Sequence, residues 1–148
     1  MSFEYKVVRR VEFSETDMAG IVHYSNFFRY METAEHAFFR HLGYSVVMTQ
    51  FTPHLGWPRV KAECEYRQPL RFEDEVEIHL LVTEKRSKSL RYTFIFRKLI
   101  PGAPAVEVAR GSLTVVCVTK QPDGRMSAVH IPAEFADKIT LAPAELLV

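Results

Sequence analysis

The sequence predicts an α+β domain in which a curled antiparallel sheet wraps around one long central helix. Three observations carry this. One sustained helical period runs over about Asn26–Leu42; strand-like segments separated by tight-turn residues come after it; and 148 residues suffice for one domain spanning 1–148. An apolar fraction of 47% beside 25% charged residues is that of a chain able to bury a core.

Tyr5 to Phe13 reads as a strand, rich in β-branched and aromatic residues. Ser14 to Ser25 breaks that pattern, with Glu15-Thr16-Asp17 and Gly20 as loop material ahead of the apolar pair Ile21-Val22. From Asn26 the period changes. Phe27, Met31, Ala34, Phe38 and Leu42 form one helical stripe. Ser25 or Asn26 can serve as N-cap, and Gly43 stands where a C′ residue belongs. Phe28, Tyr30, Ala37 and Phe39 flank the stripe, so the helix is apolar over more than half its girth and is expected to be enclosed.

The rest of the chain is mostly strand. Pro58 to Tyr66 leads to a turn at Gln68-Pro69, and Val76–Lys85 and Leu90–Leu99 are joined by a hairpin at Arg86-Ser87-Lys88-Ser89. A turn at Pro101–Pro104 precedes a strand over Val106–Lys120, and Pro122-Asp123-Gly124 makes a third turn. Pro132 suits the first position of a short closing helix. Phe51 to Trp57 is compatible with either a pocket wall or a core-packing loop.

Charge and composition exclude several functions. A net charge of +1 argues against a nucleic-acid binder, which needs a concentrated basic face. No stretch approaches a membrane span and no secretory signal is visible, so a soluble cytoplasmic protein is expected. Cys64 and Cys117 are too few for a disulfide framework and read as reduced thiols. The six glycines are never closer than nine residues, which rules out phosphate-cradling loops; no G-x-S-x-G elbow occurs. No two histidines have helical zinc-site spacing, and neither metal nor cofactor is expected.

Chemistry is expected at Asp17–Asn26. A carboxylate in a Gly-containing loop precedes two ring side chains, His23 and Tyr24, and the start of a helix with unpaired N–H groups. Such a carboxylate could activate water or attack a carbonyl that the helix terminus polarises. On the residues alone, the commoner role for such an Asp is to cap its own loop in an Asx-turn.

The run Thr16-Asp17-Met18-Ala19-Gly20-Ile21-Val22-His23-Tyr24-Ser25-Asn26-Phe27-Phe28-Arg29-Tyr30-Met31-Glu32 resembles the signature of hot-dog-fold thioesterases of the 4-hydroxybenzoyl-CoA thioesterase family. Tyr66-Arg67-Gln68-Pro69-Leu70-Arg71-Phe72-Glu73-Asp74-Glu75-Val76 is similar to that family's strand–Pro–turn–strand segment. The resemblance implies a hydrolase of acyl-CoA, with CoA as part of the substrate. Asp17 then corresponds to the general base or nucleophile, and the backbone N–H near Tyr24 to the oxyanion donor. Two departures stand out: His23-Tyr24 where many members have Tyr then His, and Glu73 at a turn position where Gly is common.

Around this centre Phe27 is a candidate pocket residue, and Glu32 or Glu35 could compete with Asp17, since a related branch carries its carboxylate on the central helix. Arg86 and Lys88, in the basic cluster with Lys85 and Arg91, suit the phosphates of CoA; Arg59 and Lys61 are weaker candidates. A solvated hairpin tip accounts for the same charges. The family also implies a homodimer that assembles into a homotetramer, with sites at subunit interfaces. An enoyl-thioester hydratase or dehydratase using Asp17 with His23, and a non-catalytic acyl-CoA-binding module, are the competing functions.

Overall fold

The computed structural model describes residues 1–148. β1 (Glu4–Arg10) leads to α1 (Asn26–His41). Then come β2 (Leu55–Gly56), β3 (Arg59–Tyr66), β4 (Glu75–Lys85), β5 (Ser89–Ile100), β6 (Ala103–Val116), β7 (Val118–Lys120), β8 (Met126–Ala128) and the single turn of α2 (Ala133–Ala136). Five strands pair antiparallel in the order β1-β4-β5-β6-β3, so β1 and β3 are edges; β2, β7 and β8 form a small second sheet.

α1 lies on the inner face of the large sheet. Every residue of its predicted stripe is at most 7% exposed, and the stripe shares one core cluster with Ile78, Leu80, Tyr92 and Phe94, which alternate along β4 and β5. Helix and sheet come close at Gly111 of β6. A Cβ there would overlap the Met31 terminal methyl and stand 2.8 Å from the Glu63 carbonyl. Gly43 closes the helix at φ +93°, as its C′ position requires.

Element boundaries differ from the sequence expectation where side chains or turns intervene. β1 stops at Arg10, three residues before Phe13, because Glu12 and Glu15 close on each other: Glu12 N–H reaches the Glu15 carboxylate at 2.8 Å, and Glu15 N–H the Glu12 carbonyl at 3.0 Å. This capping box turns the chain off the ladder. β6 starts at Ala103, since the reversal needs only Pro101-Gly102 with Gly102 at φ +73°. Pro104 falls in the irregular stretch opposite Lys98–Ile100, where a missing N–H costs no ladder bond. The strand expected over Val106–Lys120 is cut at Cys117, whose N–H bonds to the Lys88 carbonyl at 2.8 Å while β7 crosses to the second sheet. Pro132 caps α2 and does not enter it.

The Phe51–Trp57 segment packs the core. Trp57 is 5% exposed, with its ring 5.5 Å from Phe39 and 5.8 Å from Phe135, and Phe51 stacks on Tyr44. Cys64 and Cys117 are both free, and burial pushes each thiol up to about 11.

Candidate active site

A cavity of about 430 Å³ is bounded by three pieces of chain: the loop at Asp17, Ile21 and Val22, the start of α1 at Tyr24 and Phe27, and Tyr66–Leu70 after β3. The loop is folded by its own backbone. Gly20 N–H donates to the Asp17 carbonyl and Asp17 N–H to the Ile21 carbonyl, both at 2.9 Å, while Thr16 bridges to Val22. Gly20 sits at φ +81°, a conformation that favours glycine. Val22 N–H then donates to the Leu70 carbonyl at 2.8 Å, which clips the loop to the segment after β3.

Asp17 Oδ1 accepts the Ala19 N–H at 2.9 Å, so the Asx-turn forms. Oδ2 has no hydrogen bond within the chain. One oxygen holds the loop and the other is available to a bound molecule.

Glu15 sets this loop against the helix. Its carboxylate accepts Arg9 Nη2 at 2.6 Å, the Tyr30 hydroxyl at 2.9 Å and the Glu12 N–H. Its carbonyl accepts the His23 N–H at 2.9 Å and Asn26 Nδ2 at 2.8 Å. Burial raises the Tyr30 phenol far above its ordinary value, so it stays a donor to Glu15.

α1 opens with a tight turn: Phe27 N–H reaches the Tyr24 carbonyl at 3.3 Å and Phe28 N–H the Ser25 carbonyl at 3.2 Å. The Tyr24 N–H has no acceptor in the chain. At the positive end of a 16-residue helix, on a cavity wall, that N–H is a ready donor to an oxygen that gains negative charge. Phe27, 3% exposed, meets Tyr66 edge-on at 5.1 Å and Phe96 at 5.2 Å, which makes the cavity floor aromatic.

A family profile described as "Thioesterase-like superfamily" matches residues 11–139. The chain belongs to the thioesterase-like superfamily. Among relatives of this thioesterase-like chain, a protein of Aquifex aeolicus (strain VF5) named "Putative esterase" is 40% identical over 137 residues, covering 93% of this chain and 97% of that one. The 4-hydroxybenzoyl-CoA thioesterase of Pseudomonas sp. (strain CBS-3) is 25% identical over 132 residues, covering 87% and 92%. Similar too is the solved structure of an Asp-to-Asn mutant of 4-hydroxybenzoyl CoA thioesterase complexed with 4-hydroxybenzoyl CoA. Its TM-score is 0.85 at 22% identity, over 94% of this chain and all of that one. The hot-dog architecture expected from the sequence is therefore the fold of this thioesterase-like chain.

The structure brings Asp17, Tyr24 and Phe27 together and leaves other candidates elsewhere. His23 does not line the cavity; Nδ1 accepts the Ser25 N–H at 3.3 Å and lies 2.8 Å from Ser25 Oγ, and the ring packs 4.5 Å from that of Tyr24. Glu32 is exposed and off the cavity. Glu35 is fully buried and paired with Arg59 of β3, so neither faces the cavity. Burial raises the Glu35 carboxyl above its ordinary value, with the Arg59 charge opposing.

Arg86 and Lys88 lie at the far end of the molecule. β4 leaves the cavity end at Glu75 and runs 11 residues to the hairpin, on the order of 35 Å. Within one chain they do not reach Asp17. Arg86 pairs with Glu84, and Lys85 ties the hairpin to the Ala136 and Ile139 carbonyls at 2.7 and 2.9 Å. Sequence reasoning missed Glu15 and the lining by Tyr66–Leu70. The second stretch of family resemblance contained the latter, without indicating that it faces Asp17.

Proposed function

We propose that this chain hydrolyses an acyl-CoA thioester, with Asp17 as general base or nucleophile and the Tyr24 N–H as oxyanion donor. The observation that carries this reading is that one cavity is lined both by Asp17, whose Oδ2 is unbonded, and by Tyr24, whose helix-terminal N–H is unpaired. In the base route Asp17 takes a proton from water as the water oxygen adds to the thioester carbon. The carbonyl electrons move onto oxygen, where the Tyr24 N–H and the helix terminus meet the new charge. Collapse of that adduct breaks the carbon–sulfur bond and releases CoA as thiolate. In the nucleophilic route Asp17 itself adds to the thioester carbon. Collapse then breaks the carbon–sulfur bond and expels CoA thiolate to leave a mixed anhydride, which water later cleaves to free acid and the Asp17 carboxylate. CoA enters as part of the substrate, and neither route calls on a separate cofactor.

Tyr24, Phe27 and Tyr66 around the cavity favour an aromatic acyl group, the class named for the Pseudomonas relative. Free-thiol release from short, medium, long and aromatic acyl-CoAs tests both points. The expected result is turnover with the highest kcat/KM on aromatic thioesters. Saturable binding without turnover would instead support an acyl-CoA-binding module. Loss of enoyl absorbance without free thiol would support a hydratase, which the commitment of His23 Nδ1 to Ser25 disfavours.

The working unit we propose is a homodimer formed through β3, assembled further into a homotetramer. β3 is an edge strand; it begins at Arg59, paired beside the Arg86–Ser89 hairpin end, and finishes at Tyr66 on the cavity. Antiparallel pairing of two β3 edges about a two-fold axis turns one protomer's hairpin end toward its partner's cavity. Arg86 and Lys88 would then serve CoA phosphates across the interface. Light scattering should return a dimer or tetramer; a monomer at micromolar concentration removes this arrangement. The free thiols Cys64 and Cys117 suit a reducing cytoplasm.

A further inference from the structure

We infer that Tyr66 is a positioning residue for the oxyanion donor, its hydroxyl holding Tyr24 so that the Tyr24 N–H meets the thioester oxygen. This rests on the hydrolase reading above and assigns a task to a side chain 42 residues away from Tyr24 in sequence.

Tyr66 ends the edge strand β3 and pairs with Ala109, and its ring reaches the start of α1 at Phe27. Its hydroxyl donates to the Tyr24 carbonyl at 3.1 Å. The other bond to that carbonyl, from Phe27 N–H, is longer at 3.3 Å and belongs to the first, weakest turn of the helix. Tyr24 is 64% exposed, so packing does little to hold it. Helix ends fray when nothing outside the helix restrains them. Here the restraint comes from β3, and it acts on the residue whose N–H is left unpaired. Burial pushes the Tyr66 phenol up to about 12, so it remains a donor through the neutral range.

Ring and hydroxyl have separable tasks. The ring meets Phe27 edge-on at 5.1 Å and Tyr24 at 6.4 Å and walls the cavity, whereas the hydroxyl alone reaches the Tyr24 carbonyl. Tyr66→Phe keeps the wall and removes the tether.

The experiment measures kcat and KM of wild type and Tyr66→Phe on the best thioester of the panel. Alongside, calorimetry gives the affinity for the matching CoA thioether, which cannot develop an oxyanion. A fall in kcat of roughly 5–10-fold is expected, the size of one lost hydrogen bond. KM, thioether affinity and melting temperature should stay at wild-type values. An undiminished kcat overturns the assignment, as does a parallel loss of thioether affinity, which would make Tyr66 only a wall. Wild-type protein inactive on every thioester sinks the hydrolase reading and this inference with it. An active wild type beside an unimpaired variant sinks this inference alone.

Discussion

Asp17→Asn lowers thiol release by roughly 10²–10⁴-fold, the usual contribution of a general base, and leaves the melting temperature where it was. The substitution separates chemistry from folding because of how Asp17 is held. An asparagine side-chain oxygen accepts the Ala19 N–H as the carboxylate does, so the Asx-turn and the loop survive. What disappears is the second oxygen, which makes no bond in the chain and is the atom that would take a proton or attack. On the proposed mechanism, the residual rate is the part supplied by the Tyr24 N–H and by binding. Steady-state thiol release, paired with a thermal melt of the same preparation, checks both halves. A variant as fast as wild type would remove Asp17 from the mechanism, and one that melts early would return it to a structural role.

Gly111→Val destabilises the fold by about 2–3 kcal/mol, within the range for forcing extra methyl groups into a filled core. The reason is the close approach of α1 to β6. Met31 can swing its terminal methyl away from a new Cβ, but the Glu63 carbonyl, 2.8 Å from that position, is backbone of the neighbouring strand. Relief must come from lifting α1 off the sheet or opening the β3–β6 ladder. Both movements disturb the cavity, since α1 carries Tyr24 and Phe27 and β3 ends in Tyr66. Gly111→Ala is expected to cost less. Urea unfolding of the three proteins reads the difference; equal midpoints would mean that helix and sheet do not meet at Gly111 as described.

Glu73 shows how a local departure from a family pattern carries physical content. Read in sequence, it stands where the resemblance expects glycine; in the fold its φ is +71°, the left-handed region that glycine enters without steric cost. The turn holds its backbone in that region with a residue less suited to it than glycine. The cavity does not include Glu73.

The features legible in the sequence are those decided within a few residues. The stripe from Phe27 to Leu42 comes from the helical period, and all five of its members are buried. The hairpin at Arg86–Ser89, the end of α1 at Gly43 and the loop around Asp17 and Gly20 come from turn and cap chemistry, which acts over three or four positions. Only the tertiary structure could decide which of these local pieces meet. Strand register brings Tyr66 beneath Tyr24, and the Val22–Leu70 bond closes the cavity. Glu15 gathers Arg9, Tyr30, His23 and Asn26. Glu35 spends its charge on Arg59 in the core, and the length of β4 carries Arg86 and Lys88 to the opposite end. A residue's period and its neighbours determine its element and its face. Its partners depend on which distant strands become neighbours. Alternation and turns fix the face a strand presents and the register of a hairpin, but not the pairing of β1 with β4 or of β3 with β6.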